Sequence, residues 1–438
     1  FLIFHKFLVS YTVQILNSKV NLFISVMKKN KNGLPLVIQY CIKCNLSNQR
    51  PTSVNEYFHT NSTQHTTVEF DKNGICYGCK FVEKEFGQTI DWDEREQELI
   101  ELCNKHRKNN GEYDCIVPGS GGKDSIFASH ILKYKYKMNP LTVTWSPHMY
   151  TDIGKKNFES WIHNSGFDNF LYTPNPKVQR RITREAVKNI LHPFQPFIIG
   201  QKTFALKMAA KFNTPLIFYG EGGGKGGKKQ KLTDKSFNQT KNQKGFEIDP
   251  LLGHDFKDAY LGGKKIAEYL DEGFNLNDFE SYKPLDPEII EKKDIEFYYL
   301  NYFLRWTPQE NYYYSVKHAD FQANQERTEG TFTKYVSLDD KIDGFFYYTS
   351  YIKFGIGRAM LDSSQEIRHG HATKEEGMSL IEKFDGEYPT KYEQEFYNYI
   401  GMKKDEFIEI CDKFRPDHIW EKKSNRWVLK KQLNKKIV

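Results

Sequence analysis

Short apolar runs alternate with stretches of helical period through the middle of the chain. The runs are 114–117, 141–145 (Leu-Thr-Val-Thr-Trp), 169–173 and 215–219 (Pro-Leu-Ile-Phe-Tyr). Segments 124–137, 154–165, 177–190 and 201–212 carry the helical pattern between and after them. This alternation predicts an α/β fold, a parallel sheet with helices on both faces. Such sheets bind ligands beyond the carboxyl ends of their strands. That places 119–125, 144–148 and 220–221 around one crevice. Ahead of the core, 91–109 reads as a linker helix with Asp93 as its cap and a thin apolar stripe of Leu99, Ile100, Leu102 and Cys103. After it, 260–274 reads as helical. The aromatic-dense stretch 295–314 reads as strand and helix core in preference to a base-stacking surface. Segments 375–384, 393–402 and 405–414 predict a helical C-terminal region.

Other stretches lack these periods. Residues 220–245 are rich in glycine and lysine and read as a mobile loop. Phe1 to Val26 is apolar but broken by His5, Lys6, Gln14, Asn17 and Lys19, and reads as an extension ahead of Met27. No run reaches membrane-spanning length, so no membrane span is expected. A length of 438 residues suits several domains. The expected division is a poorly defined 1–39, a cysteine module 40–90, a nucleotide-binding domain 91–372 and the helical 373–438.

Charge and cysteines refine the picture. A net charge of +7 is modest for this length and can serve a phosphate ligand, so no nucleic-acid partner is expected. Of the seven cysteines, four form Cys41-x-x-Cys44 and Cys76-x-x-Cys79. Two such knuckles can present four thiolates to one tetrahedral ion, and four thiolates leave no open position for catalysis. The expectation is a structural zinc ribbon. The other three cysteines are scattered and odd in number, which suits a reducing, cytoplasmic compartment.

The chemistry centres on Pro118-Gly119-Ser120-Gly121-Gly122-Lys123-Asp124-Ser125, between a strand and a helix start. Glycines let the backbone turn tightly, and the first helix amides point at whatever fills the turn. Lys123 adds a cation, Ser120 and Ser125 add hydroxyls, and Asp124 can hold a magnesium ion. A polyphosphate is the natural ligand. Lys123 is followed by Asp124 where the kinase-type P-loop needs Ser or Thr, so that class is excluded. Further on, Lys353, Gly355, Gly357, Arg358, Asp362 and Arg368 gather basic groups and glycines, and Arg suits phosphate geometry better than Lys.

The loop resembles that of the ATP pyrophosphatase, or PP-loop, superfamily, whose fold is adenine nucleotide alpha-hydrolase-like. The wider chain resembles the N-acetyl sugar amidotransferases of bacterial surface-polysaccharide pathways. The cysteine module, PGSGGKDS, TWSPHMYTDIG (144–154), HPFQPFIIGQK (192–202), LIFYGE (216–221) and KFGIGRA (353–359) look like family blocks in family order, covering about residues 40 to 420. The resemblance implies that an acetamido group on a sugar becomes an acetamidino group. The acetamide oxygen takes AMP from ATP, pyrophosphate leaves, and ammonia displaces AMP. It also implies ATP, Mg2+ and Zn2+ as cofactors, an acetamido sugar as substrate and a separate glutaminase subunit as partner. Lys123 and Asp124 would be catalytic. Ser120, Gly121, Gly122, Ser125, Thr144, Trp145, Gly220, Glu221, Lys353 and Arg358 would join them in binding the nucleotide. One departure stands out: after Glu221 the chain runs Gly-Gly-Gly-Lys-Gly-Gly where acidic and aromatic residues are expected.

Two rivals belong to other classes. A tRNA-thiolating enzyme also pairs cysteines with such a loop, but after Cys115 no cysteine follows until Cys411. A non-catalytic nucleotide-binding module would not need Lys123, Asp124 and Ser125 together.

Overall fold

The structure is a computed structural model that describes residues 28–87, 90–220, 251 and 253–433. The extension 1–26 and the loop 221–250 lie outside the described residues. The centre is a five-stranded, all-parallel sheet: β1 (Cys115–Pro118), β2 (Pro140–Trp145), β3 (Asn169–Tyr172), β4 (Leu216–Tyr219) and β5 (Glu296–Tyr299). Their spatial order is β3-β2-β1-β4-β5. This doubly wound α/β fold is the one the alternating pattern predicts. The chain reverses its direction of travel beside β1, so a crevice opens at the carboxyl ends of β1 and β4.

Two-residue periodicity sorts the side chains between the faces. Ile116, Ile217 and Phe297 point to one core, with Leu141, Val143 and Trp145. Helices α5 (Pro176–Ile190) and α6 (Gln195–Phe212) cover that face. Cys115, Val117, Leu216, Phe218 and Tyr298 point to the other. There α2 (Trp92–His106) and α3 (Lys123–Tyr134) pack through Leu99, Cys103, Ala128, Ile131 and Leu132. The cap of α2 differs from expectation: Asp91 accepts from the amides of Asp93 and Glu94, because it stands just outside the first turn. The aromatic stretch is core, as read: it forms β5, a short helix 300–303 and α7 (Pro308–Ala319). The segment 260–274 is only partly helical. A tight antiparallel pair, 260–261 with 264–265, precedes helix Ile266–Asp271.

The C-terminal part comprises α8 (Asp343–Phe354), α9 (Arg358–Arg368), α10 (Lys374–Phe384), α11 (Glu393–Ile400) and α12 (Lys404–Lys413), then a hairpin 420–429 that the periodicity did not indicate. The hairpin is held by Trp420, which is buried and donates from Nε1 to the Ile352 carbonyl at 2.8 Å. Residues 34–40 meet it: Tyr40 donates to Lys431 O and Lys431 to Ile38 O, both at 2.8 Å. The cysteine module, with its helix α1 (Tyr77–Phe86), packs on Ile356, Met360 and Ile381 of α9 and its neighbours. Among the described residues no helix is long and apolar enough to cross a membrane.

One close approach sets the spacing between α6 and the sheet. A Cβ on Gly200 would stand 2.2 Å from the Trp145 indole. Overpacking of this kind costs about 1–3 kcal/mol. Gly200→Ala is expected to lower unfolding stability by that amount in chemical denaturation, with an unchanged denaturant slope.

Candidate functional site

The turn after β1 is shaped by contacts that admit no side chain. Gly121 has φ +83°, and a Cβ there would stand 2.6 Å from Phe158 Cα in α4 (Asp152–Ser165). A Cβ on Gly119 would stand 2.3 Å from Ser125 Cβ. The loop therefore lies flat between α3 and α4. Gly122 is the N-cap of α3 and supplies no side-chain cap, so the leading amides of that helix stay available to a ligand.

Other elements fix the loop from behind. Ser125 donates to Gly122 O at 2.9 Å, and Ser315 of α7 donates to Lys123 O at 2.9 Å. Asn311 Nδ2 donates to Asp124 Oδ1 at 2.9 Å, while Lys123 pairs with Asp124 Oδ2. The Asp124 carboxylate is thus aimed from two sides and keeps further lone pairs for an ion.

In front of the loop lies a cavity of about 400 Å³, lined by Ser120, Gly121, Gly122, Lys123, Asp124 and, across it, Arg358. This volume is in the range of nucleotide and drug-sized ligand sites. Its lining also includes Asp339, Asp343 and Tyr347, with Phe194 and Phe346 as an apolar patch. The sequence reading did not single out these carboxylates. Their spacing, Asp339-Asp340-x-x-Asp343 beside an aromatic run, was the available signal.

Cations and carboxylates share this lining. Arg358, at the first turn of α9, lies between the two Asp362 oxygens, with Nε at 2.8 and 3.0 Å, and stacks 4.6 Å over the Tyr347 ring, whose hydroxyl it also contacts. Asp385 accepts from the amides of Gly357 and Met360 at 2.9 Å. It fills the end of α9, so here it is the Arg358 side chain that faces the cavity. Burial holds the Asp339 and Asp343 carboxyls above the usual carboxylate range, and their neighbouring acids add to this. Ser120 hydrogen-bonds Asp339 and partly offsets the effect. A buried acid kept neutral this way ionises when a cation arrives. Asp340 serves structure instead: it accepts from the His148 amide at 2.7 Å and from His148 Nδ1 at 2.8 Å.

The remaining expected residues stand elsewhere. Thr144 is fully buried in β2 and bonded to Asn169, and Trp145 packs in the core against Tyr172 and Tyr282. Gly220 abuts the loop from behind, where a Cβ would lie 3.1 Å from Asp124 O. Lys353 does not line the cavity. Its ammonium donates to Ile190 O at 3.0 Å, and burial lowers its pKa to about 8. Glu221 is outside the described residues.

The four cysteines converge as their spacing suggests. Cys41 Sγ is 3.8 Å from Cys79 Sγ, and Cys44 Sγ is 3.5 Å from Cys76 Sγ. A tetrahedral Zn–S₄ centre with 2.3 Å bonds has S···S edges of about 3.8 Å, so the sulfurs fit such an ion. Arg368, at the last turn of α9, reaches Cys44 Sγ at 3.6 Å, and the half-buried Arg50 lies close enough for its charge to act on Cys44 and Cys76. One helix therefore carries Arg358 at the cavity and Arg368 at the cysteines.

Residues 329–434 match the family described as LPS biosynthesis protein WbpG-like, C-terminal domain. This agrees with the resemblance read from the motifs. An uncharacterized protein of Methanocaldococcus jannaschii, MJ1599, is 34% identical over 85 residues, which span 19% of this chain and 29% of that protein's length. Among solved structures, the U34-tRNA thiolase NcsA of Methanococcus maripaludis, solved with its 4Fe–4S cluster, superposes with TM-score 0.29 at 10% identity, covering 76% of this chain and 87% of that one. The NH3-dependent NAD synthetase of Campylobacter jejuni gives 0.25 at 14%, covering 47% and 92%. Superpositions this loose leave the reaction to be read from the residues themselves.

An ion held by the four cysteines would pair their buried thiolates beside α9, and its removal would unpair them. Chelation is expected to lower Tm by about 5 °C or more, and readdition of Zn2+ to restore it, as followed by scanning calorimetry.

Proposed function

We propose that this chain is an ATP-dependent amidotransferase that converts an acetamido group of a sugar into an acetamidino group. The observation that carries the reading is the shared cavity. Part of its lining is the glycine turn with the open end of α3, and part, including Asp339, Asp343 and Arg358, falls in the segment that matches the LPS-biosynthesis family.

The cavity suits a triphosphate held against a neutral nucleophile. The turn amides, Ser120 and Lys123 would hold one end of the phosphate chain and Arg358 the other. Asp124, with Asp339 and Asp343 in the same lining, would hold the Mg2+ that screens the phosphates. The chemistry balances in two steps. The acetamide oxygen bonds to the α-phosphorus, pyrophosphate leaves, and the amide nitrogen loses its proton to give an O-adenylyl imidate. Ammonia then adds at the imidate carbon and AMP departs, leaving the amidine. The protein contributes position and charge stabilisation. Lys123 and Arg358 face the developing negative charge, and Asn311 keeps Asp124 in register. Thr144, Trp145, Gly220 and Ser125 act as the frame of the crevice.

Ammonia is proposed to come from a separate glutaminase. All seven cysteines are buried, and the cavity lining includes none of them. The cavity lining offers neither a catalytic nor a cluster-binding cysteine of the kind tRNA thiolation uses, and that weighs against it. Buried free thiols also fit a cytoplasmic setting and a zinc ion in the four-cysteine centre.

The test is pyrophosphate release from ATP with ammonia and a panel of acetamido sugars, nucleotide-linked and free, alongside tRNA. Sugar-dependent release with AMP formation is expected. Release with tRNA alone would overturn the reading. Asp124→Asn is expected to lower release at least 100-fold with Tm unchanged. Arg358→Lys keeps the charge but loses the fork on Asp362, and is expected to raise the KM for ATP about tenfold.

A further inference from the structure

A second group of metal-type donors sits away from the cysteines and outside the lining of the cavity. Glu56 and His59 lie on a short turn of helix at 56–59, and His192 lies in the link between α5 and α6. Their donor atoms all fall within 4.8 Å of one another. Glu56 Oε2 is 2.8 Å from His59 Nδ1, and Glu56 Oε1 is 3.8 Å from His192 Nε2. Three ligands around an ion at 2.0–2.2 Å stand about 3.4 Å apart, a value these separations bracket. The side chains are 12%, 6% and 10% exposed, so water does not satisfy them freely.

Two further observations point to a ligand. His192 Nδ1 is buried without a hydrogen-bond partner, and so is Nδ1 of His65, whose ring lies 5.8 Å from that of His59. The His192 ring can therefore offer either nitrogen to an ion: Nδ1 has no partner, and Nε2 stands 3.8 Å from Glu56 Oε1, beyond hydrogen-bond length. The backbone that carries the donors is also fixed. The fully buried Gln195 donates to Glu56 O at 2.8 Å and accepts from Gly262 N at 2.8 Å.

We propose that Glu56, His59 and His192 form a divalent transition-metal site of the two-histidine, one-carboxylate type. Imidazole and carboxylate donors select zinc or iron(II) over magnesium or calcium. The site joins the cysteine-module side of the chain to the nucleotide-binding domain. It also backs the cavity wall: His192 stacks on Phe346 at 5.2 Å and 19°, and Phe346 lines the cavity. An ion here would tether that wall to residues 56–59. The proposal stands independently of the reaction assigned above. Lys353 is the opposing charge, since its field reaches Glu56, His65 and His192.

Cobalt(II) distinguishes the two centres, because thiolate ligands give intense charge-transfer absorption and nitrogen–oxygen ligands give only weak visible bands. The full chain, loaded with excess cobalt(II) or zinc(II) and desalted, is expected to hold two ions by elemental analysis. One cobalt signature should be of thiolate type and one of nitrogen–oxygen type. Glu56→Gln preserves shape and is expected to remove only the second ion and its bands. His192→Gln should do the same, and Lys353→Met should tighten that ion's binding several-fold. A single ion per wild-type chain with only thiolate absorption would overturn the proposal, as would a nitrogen–oxygen signature that survives both Glu56→Gln and His192→Gln.

Discussion

Gly121 lies so close to α4 that a Cβ would stand 2.6 Å from the Phe158 backbone. That approach holds the turn after β1 flat, at a positive φ, against a helix that follows the next strand of the sheet. Because the turn is flat and Gly122 carries no capping side chain, the α3 amides face open space. The anion site is therefore a property of the backbone, and the side chains around it are adjustments to it. Ser315 and Asn311, both from α7, fix the Lys123 carbonyl and the Asp124 carboxylate.

The opposite wall works by charge. Two cations, Lys123 and Arg358, share the cavity with Asp124, Asp339 and Asp343. Burial keeps the last two carboxyls from ionising readily while no cation is near. Such a mixture is poorly suited to a simple apolar ligand and well suited to phosphates carried with a divalent ion. Arg358 is held in place by Asp362, by the Tyr347 ring and, at the helix end, by Asp385.

Helix α9 joins this wall to the cysteine cluster. Arg358 begins it and Arg368 ends it beside Cys44. Eleven residues at 1.5 Å each span roughly 16 Å. The metal-type centre thus bears on the same rigid rod that presents the guanidinium. Ile356 and Met360 bury the rod's other contacts among the cysteines.

Much of the arrangement was legible in the chain itself. Four of five sheet strands, their helices and the turn 119–125 follow from period and glycine placement, because these are local properties. The paired Cys-x-x-Cys motifs likewise state their own geometry. The fifth strand, 296–299, showed only as aromatic density, since its pairing with β4 spans a long insertion and has no local signature. Nor did period indicate that Asp339 and Asp343 line one cavity with Asp124 or that Trp145 turns inward onto Gly200. It was equally silent on Lys353, which reaches the Ile190 carbonyl and not the cavity. Those outcomes depend on which face each element presents after packing, and residues from 55 to more than 200 positions apart decide them. The sequence alone determined the strand, the turn and the open helix end. Only the tertiary structure decided which charges share the cavity, because a common lining is a relation between distant segments.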